Sequence, residues 1–117
     1  MPPLLAGIMR RISEETTFEY NSVYLNKYRD GNDSIGHHAD NDPQMTQASQ
    51  IASVSLGATR KFNIKNNITK SLTSVYLEAG DLLVMSWQDQ REYTHEIPKT
   101  KKPVGPRINL TYRLFDY

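Results

Sequence analysis

The chain has 117 residues, 38% hydrophobic and 23% charged, with a net charge of +1 and no cysteine. That size fits a single domain spanning residues 1–117, able to bury roughly two-thirds of its unfolded surface. The composition excludes a disulfide scaffold and a thiolate metal site, no apolar run approaches the ~20 residues of a membrane helix, and the near-balanced charge neither demands nor forbids nucleic acid.

Pro2-Pro3 followed by Leu4, Leu5, Ile8, Met9 and Ile12 predicts one short amphipathic helix with prolines in its first turn. Arg10 and Arg11 fall on its solvated side, where a phosphate contact is the less favoured reading, and polar Ser13 to Thr17 is expected to end it. A strand over Ser22 to Arg29 closes on the turn Asp30-Gly31-Asn32-Asp33. The next strand, Ile35 to Asp40, stops before Pro43, and Met45 to Gln50 reads as a polar loop. Ile51 to Leu56 is densely apolar, turns at Gly57-Ala58-Thr59 and returns as Arg60 to Ile64. After a loop at Lys65-Asn66-Asn67 come strands over Leu72 to Leu77 and Asp81 to Trp87. The single tryptophan, Trp87, is thereby expected on a core strand, as packing or pocket wall. Lys99, Lys101 and Lys102 sit in a Pro-bounded turn, as solvated charges or as phosphate contacts. Many short strands with regular turns and one helix argue for a mainly β sandwich or jelly roll.

Chemistry concentrates in two stretches. His38-Ala39-Asp40 has a two-residue spacing that puts an imidazole and a carboxylate on one face of a strand. The facial triad of non-haem Fe(II) oxygenases needs one more histidine, and His95 is the only one outside the His37-His38 pair. His37 points to the opposite face and is expected to support the site or lie on the surface. The last strand reads Arg107-Ile108-Asn109-Leu110-Thr111-Tyr112-Arg113, apolar on one face and polar and cationic on the other. Two guanidinium forks on one face suit a dicarboxylate. Taken together, His38, Asp40, His95, Arg107, Asn109 and Arg113 describe an iron site with a 2-oxoglutarate pocket beside it.

The ordered set Asn26-Lys27-Tyr28, His38-Ala39-Asp40, Ile51 through Arg60, Gly80-Asp81-Leu82-Leu83, His95 and Arg107-x-Asn109-x-Thr111-x-Arg113 resembles the AlkB family of Fe(II)- and 2-oxoglutarate-dependent dioxygenases, closest to its nucleic-acid repair branch. The resemblance implies the double-stranded β-helix, a jelly-roll variant, with Fe(II) held by His38, Asp40 and His95. It implies 2-oxoglutarate bound by Asn26, Tyr28, Arg107, Asn109 and Arg113, with Arg107 at the far C5 carboxylate and Arg113 nearer C1. With O2, the implied reaction demethylates N1-methyladenine- or N3-methylcytosine-type bases in DNA or RNA, releasing succinate, CO2 and formaldehyde. Asp42 is the candidate carboxylate for a cationic base, a turn role before Pro43 being the alternative, and Arg60 and Lys61 match a position near the substrate. The family's nucleic-acid demethylases carry a base-stacking lid ahead of the core; the chain begins where the core would begin, so it is expected to be that core without the lid. A monomer acting on single strands, in cytoplasm or nucleus and not secreted, is the accompanying expectation. A 2-oxoglutarate-dependent hydroxylase or demethylase of a protein or small molecule is the alternative.

Overall fold

The structure is a computed structural model, described for residues 1–39 and 50–115. One helix, α1 (Pro3–Thr16), precedes β1 (Ser22–Tyr28), β2 (Ile35–His38), β3 (Gln50–Gly57), β4 (Arg60–Asn66), β5 (Leu72–Leu77) and β6 (Leu82–Ser86). A short helix α2 (Trp87–Glu92), then β7 (Tyr93–Ile97) and β8 (Arg107–Arg113) complete the order. The strands form two four-stranded antiparallel sheets, ordered β1-β8-β3-β6 and β2-β7-β4-β5. This is the jelly-roll layout, in which neighbours in a sheet are mostly distant in sequence.

Two apolar layers hold it together. Tyr28, Leu83 and Met85 of the first sheet meet Ile35, Phe62, Ile64, Leu77 and Ile97 of the second. On the far side of the first sheet, Leu5, Ile8, Met9 and Ile12 of α1 pack against Ala52, Leu110 and Tyr112. The Tyr112 hydroxyl donates to the Leu5 carbonyl at 2.9 Å, so the sheet is also tied to the helix by a hydrogen bond. With α1 covering its apolar face, β8 can turn its arginine-bearing face inward, and Arg107, Leu110, Thr111, Tyr112 and Arg113 are all buried.

One sequence expectation is corrected, that for Trp87. The polar run Ser13 to Thr17 does end α1, at its far end: the helix continues to Thr16, whose Oγ1 donates to the Ile12 carbonyl at 2.8 Å. The helix stops at Thr17, in the left-handed region at φ 61°, with its N–H on the Ser13 carbonyl. Trp87 is not on a strand but opens α2. Ser86 accepts from the Asp89 N–H while Asp89 accepts from the Ser86 N–H, a reciprocal cap written in the sequence as Ser-Trp-Gln-Asp. Elsewhere the strands fall within a residue or two of expectation. Gly57 takes φ +85°, and a Cβ there would collide with the Pro106 carbonyl oxygen, so glycine sets the close approach of β3 to the start of β8.

Candidate active site

A cleft opens between the sheets, lined by Asn26, Tyr28, His38, His95, Arg107, Asn109 and Arg113 among others. Seven of the ten residues singled out for iron, cosubstrate and substrate therefore share one cavity. Asp40 and Asp42 lie outside the described residues, and Arg60 is placed elsewhere.

The two histidines are brought together by strand register. His38 pairs directly with His95 across β2 and β7, and their rings lie 4.2 Å apart, edge to face. His38 Nδ1 lies 2.9 Å from the Gly36 carbonyl oxygen. A carbonyl can only accept, so Nδ1 carries the proton and Nε2 keeps its lone pair, the tautomer a metal-binding imidazole needs. Phe62 stacks on His95 at 5.2 Å and fixes that ring's plane. Among the described residues no three His, Cys, Asp or Glu side chains cluster; the expected third ligand, Asp40, follows His38 by two positions. An oriented imidazole pair with a carboxylate two residues on fits a borderline first-row ion such as Fe(II) with open positions, and the absence of cysteine disfavours a thiolate metal. His37 points away, as expected, with Nε2 3.3 Å from Glu96 on the outer face.

The half of the cleft expected to take the cosubstrate is built on β1, β3 and β8. Tyr28 pairs with Arg107 and Asn26 with Asn109. Arg107 is 1% exposed, and its Nη2 donates to Ser55 Oγ at 3.0 Å. Its Nε and Nη1 find no hydrogen-bond partner among the described residues. Its carbon Cζ lies 5.2 Å from the Tyr28 ring centroid. Burial, and the nearby Arg60, pull the Arg107 guanidinium below its ordinary pKa, against the opposing effect of Tyr28. A buried cation with two orphan N–H groups is what a bidentate carboxylate would satisfy. Arg113 sits at the other end, 4.3 Å from the Tyr24 ring. The Asn109 amide is held from both sides, accepting from Ser53 Oγ at 2.6 Å and donating to Thr111 Oγ1 at 3.0 Å.

Arg60 does not line this cleft. It is 2% exposed and donates to the carbonyls of Asp30, Asp33 and Pro98 at 3.1, 2.9 and 2.8 Å. Its guanidinium is buried and holds three backbone carbonyls, and Arg60 is not among the residues lining the cleft. Lys61, Lys99, Lys101 and Lys102 are exposed. Residues to which the sequence reading gave no role are Ser53, Ser55, Phe62 and Tyr24. Period-two alternation could have found most of them, since Ser53 and Ser55 share a face of β3, and Tyr24 shares one with Asn26 and Tyr28.

The profile of the 2OG-Fe(II) oxygenase superfamily matches residues 1–113. The chain is 34% identical over 119 residues to "DNA oxidative demethylase ALKBH2" of Bos taurus, covering 95% of this chain and 43% of that protein. It is 35% identical over 120 residues to "Alpha-ketoglutarate-dependent dioxygenase alkB homolog 3" of Mus musculus, covering 95% and 42%. The chain thus spans less than half the length of these two relatives. In three dimensions it matches "The structure of OsALKBH1" with a TM-score of 0.75 at 21% identity, covering 97% of this chain and 64% of that one. A Campylobacter jejuni TDP-quinovose 3,4-ketoisomerase matches at a TM-score of 0.59 and 15% identity, covering 88% of this chain and 69% of that one. Both likenesses establish the jelly-roll fold. The chain belongs to the 2OG-Fe(II) oxygenase superfamily, and within it to the AlkB family.

Proposed function

We propose that this protein oxidatively demethylates N-alkylated bases of the N1-methyladenine and N3-methylcytosine type in DNA or RNA, using Fe(II), 2-oxoglutarate and O2. The observation that carries the reading is the juxtaposition, in one cleft, of the His38–His95 pair and a buried Arg107 with two donor atoms unpartnered among the described residues. The names of the relatives, a DNA oxidative demethylase and an alpha-ketoglutarate-dependent dioxygenase, support it.

His38, Asp40 and His95 would hold the iron, which supplies O2 activation coupled to oxidative decarboxylation of 2-oxoglutarate. Arg107 binds the C5 carboxylate, Arg113 lies toward C1, and Asn26, Tyr28 and Asn109 line the space between. The Gly36 carbonyl keeps His38 in the metal-binding tautomer, and Phe62 keeps the His95 ring from turning. Asp42 is assigned to the positively charged methylated base, whose hydroxylated methyl group leaves as formaldehyde. Residues 1–117 are read as one domain acting as a monomer inside the cell, a reading supported by the likeness to a protein named as a DNA oxidative demethylase. Among the described residues no helix is long and apolar enough to cross a membrane.

A base in a duplex must be extruded to reach such a cleft, at a cost of a few kcal/mol that a single strand avoids. Single-stranded substrate is therefore expected to be preferred. The test is formaldehyde release from one N3-methylcytosine oligonucleotide, alone and annealed to its complement. Faster release from the single strand supports the proposal, and faster release from the duplex refutes the strand preference. Succinate without formaldehyde from either would refute the base-demethylase assignment and point to a protein or small-molecule substrate.

A further inference from the structure

We propose that Arg60 is a positioning residue for the cosubstrate end of the cleft, binding the two loops that frame it and setting the placement of Tyr28. The proposal rests on the reading of this cleft as a 2-oxoglutarate site.

The three carbonyls that Arg60 grips belong to different segments. Asp30 follows Tyr28 out of β1, Asp33 leads into the strand that carries His38, and Pro98 follows the strand that carries His95. One buried guanidinium thus ties together the chain leaving the cosubstrate half and the chain at both histidine strands. A second fastener lies alongside: the Thr100 N–H donates to the Gly31 carbonyl at 3.0 Å, and a Cβ on Gly31 would collide with the Thr100 carbonyl oxygen. The loops are held closer than any residue but glycine would allow.

The same guanidinium approaches Tyr28, with Cζ 5.7 Å from the ring centroid, while Arg107 approaches that ring at 5.2 Å. Tyr28 is buried between two cations, so its position is fixed jointly with that of Arg107. Arg60 also keeps a second positive charge near the Arg107 guanidinium, which raises the cleft's demand for an anion. Only arginine can do this, because a planar fork reaches three carbonyls in separate directions and a lysine ammonium presents its donors from one point.

The experiment titrates 2-oxoglutarate into the Mn(II)-loaded protein by calorimetry, for wild type, Arg60→Met, Arg60→Lys and Gly31→Ala. Melting temperature and the KM for a methylated oligonucleotide are measured on the same samples. Arg60→Met is expected to weaken 2-oxoglutarate binding about tenfold or more, with Arg60→Lys rescuing only part of the loss. Gly31→Ala, which pries the loops apart without touching the arginine, is expected to shift affinity in the same direction, and oligonucleotide KM is expected to stay within about twofold. Should Arg60→Met fail to fold, Arg60→Lys and Gly31→Ala decide the matter. A lowered melting temperature with unchanged 2-oxoglutarate affinity would reduce Arg60 to scaffolding and overturn the proposal. A raised oligonucleotide KM with unchanged 2-oxoglutarate affinity would overturn it in favour of a substrate contact. A wild-type protein that takes up no 2-oxoglutarate would overturn the cosubstrate reading itself.

Discussion

Replacing Arg107 by methionine should move stability and cosubstrate affinity in opposite directions. The guanidinium is 1% exposed, uses one donor on Ser55, and leaves Nε and Nη1 without partners among the described residues. Each unmade hydrogen bond on a buried group costs about 1–3 kcal/mol. Methionine removes both costs, forfeits about 1 kcal/mol on Ser55 and loses about 0.5–2 kcal/mol over the Tyr28 ring. The balance favours the unliganded variant by about 1–2 kcal/mol, or roughly 4–8 °C in Tm for a domain of this size. Because the depressed pKa is that of an arginine, the guanidinium stays charged throughout the accessible pH range and the penalty does not titrate away. Binding goes the other way. Two charge-assisted hydrogen bonds at about 1.5–3 kcal/mol each amount to about 3–6 kcal/mol, or about two to four orders of magnitude in Kd. The assay is thermal unfolding of wild type and Arg107→Met, each with Mn(II), with and without 2-oxoglutarate. The reasoning is refuted if Arg107→Met melts below wild type while 2-oxoglutarate still raises its Tm by the wild-type amount.

Thr17 terminates α1 at φ 61°, a conformation that costs a non-glycine residue roughly 1–2 kcal/mol; Thr17→Gly should raise the denaturant midpoint, and an unchanged or lower midpoint contradicts the strain argument. Asp33 accepts two hydrogen bonds from the Arg29 side chain at 2.9 and 3.0 Å and one from its backbone N–H at 2.8 Å, which holds its carboxyl well below the usual range. A depressed carboxyl pKa stabilises the fold above the unfolded-state value and loses that contribution as pH falls toward the folded-state value. Asp33→Asn should therefore lower stability at pH 7, with the gap to wild type closing below about pH 4; a gap that is constant with pH would assign the effect to something other than ionisation.

Much of this architecture was legible because period-two patterns survive even where polarity is inverted. The β8 alternation located Arg107, Asn109, Thr111 and Arg113 on one face, although an ordinary alternating strand would have turned that face to water. What the strand alone could not say is that α1 covers Leu110 and Tyr112, freeing the cationic face to lie inside. The His38–His95 pairing was anticipated from ligand chemistry, whereas its register depends on β2 and β7 being neighbours, a long-range fact with no local signature. Arg60 was placed near the substrate by resemblance alone; its burial and its grip on three carbonyls depend on remote segments converging, which no local pattern announces. Trp87 misled because the apolar run before it hid a capping box whose Ser86 and Asp89 were in plain view.

The central claim is that His38 and His95 hold the metal of a demethylase in the same cleft as the Arg107 carboxylate site. It is tested most directly by measuring succinate and formaldehyde together from Fe(II), 2-oxoglutarate, O2 and an N1-methyladenine or N3-methylcytosine oligonucleotide, with His38→Ala and His95→Ala as controls. The account predicts the two products in step for wild type and neither in the histidine variants. Formaldehyde that persists in either variant would contradict the metal assignment, and a wild-type protein that binds Fe(II) yet releases succinate alone would contradict the substrate.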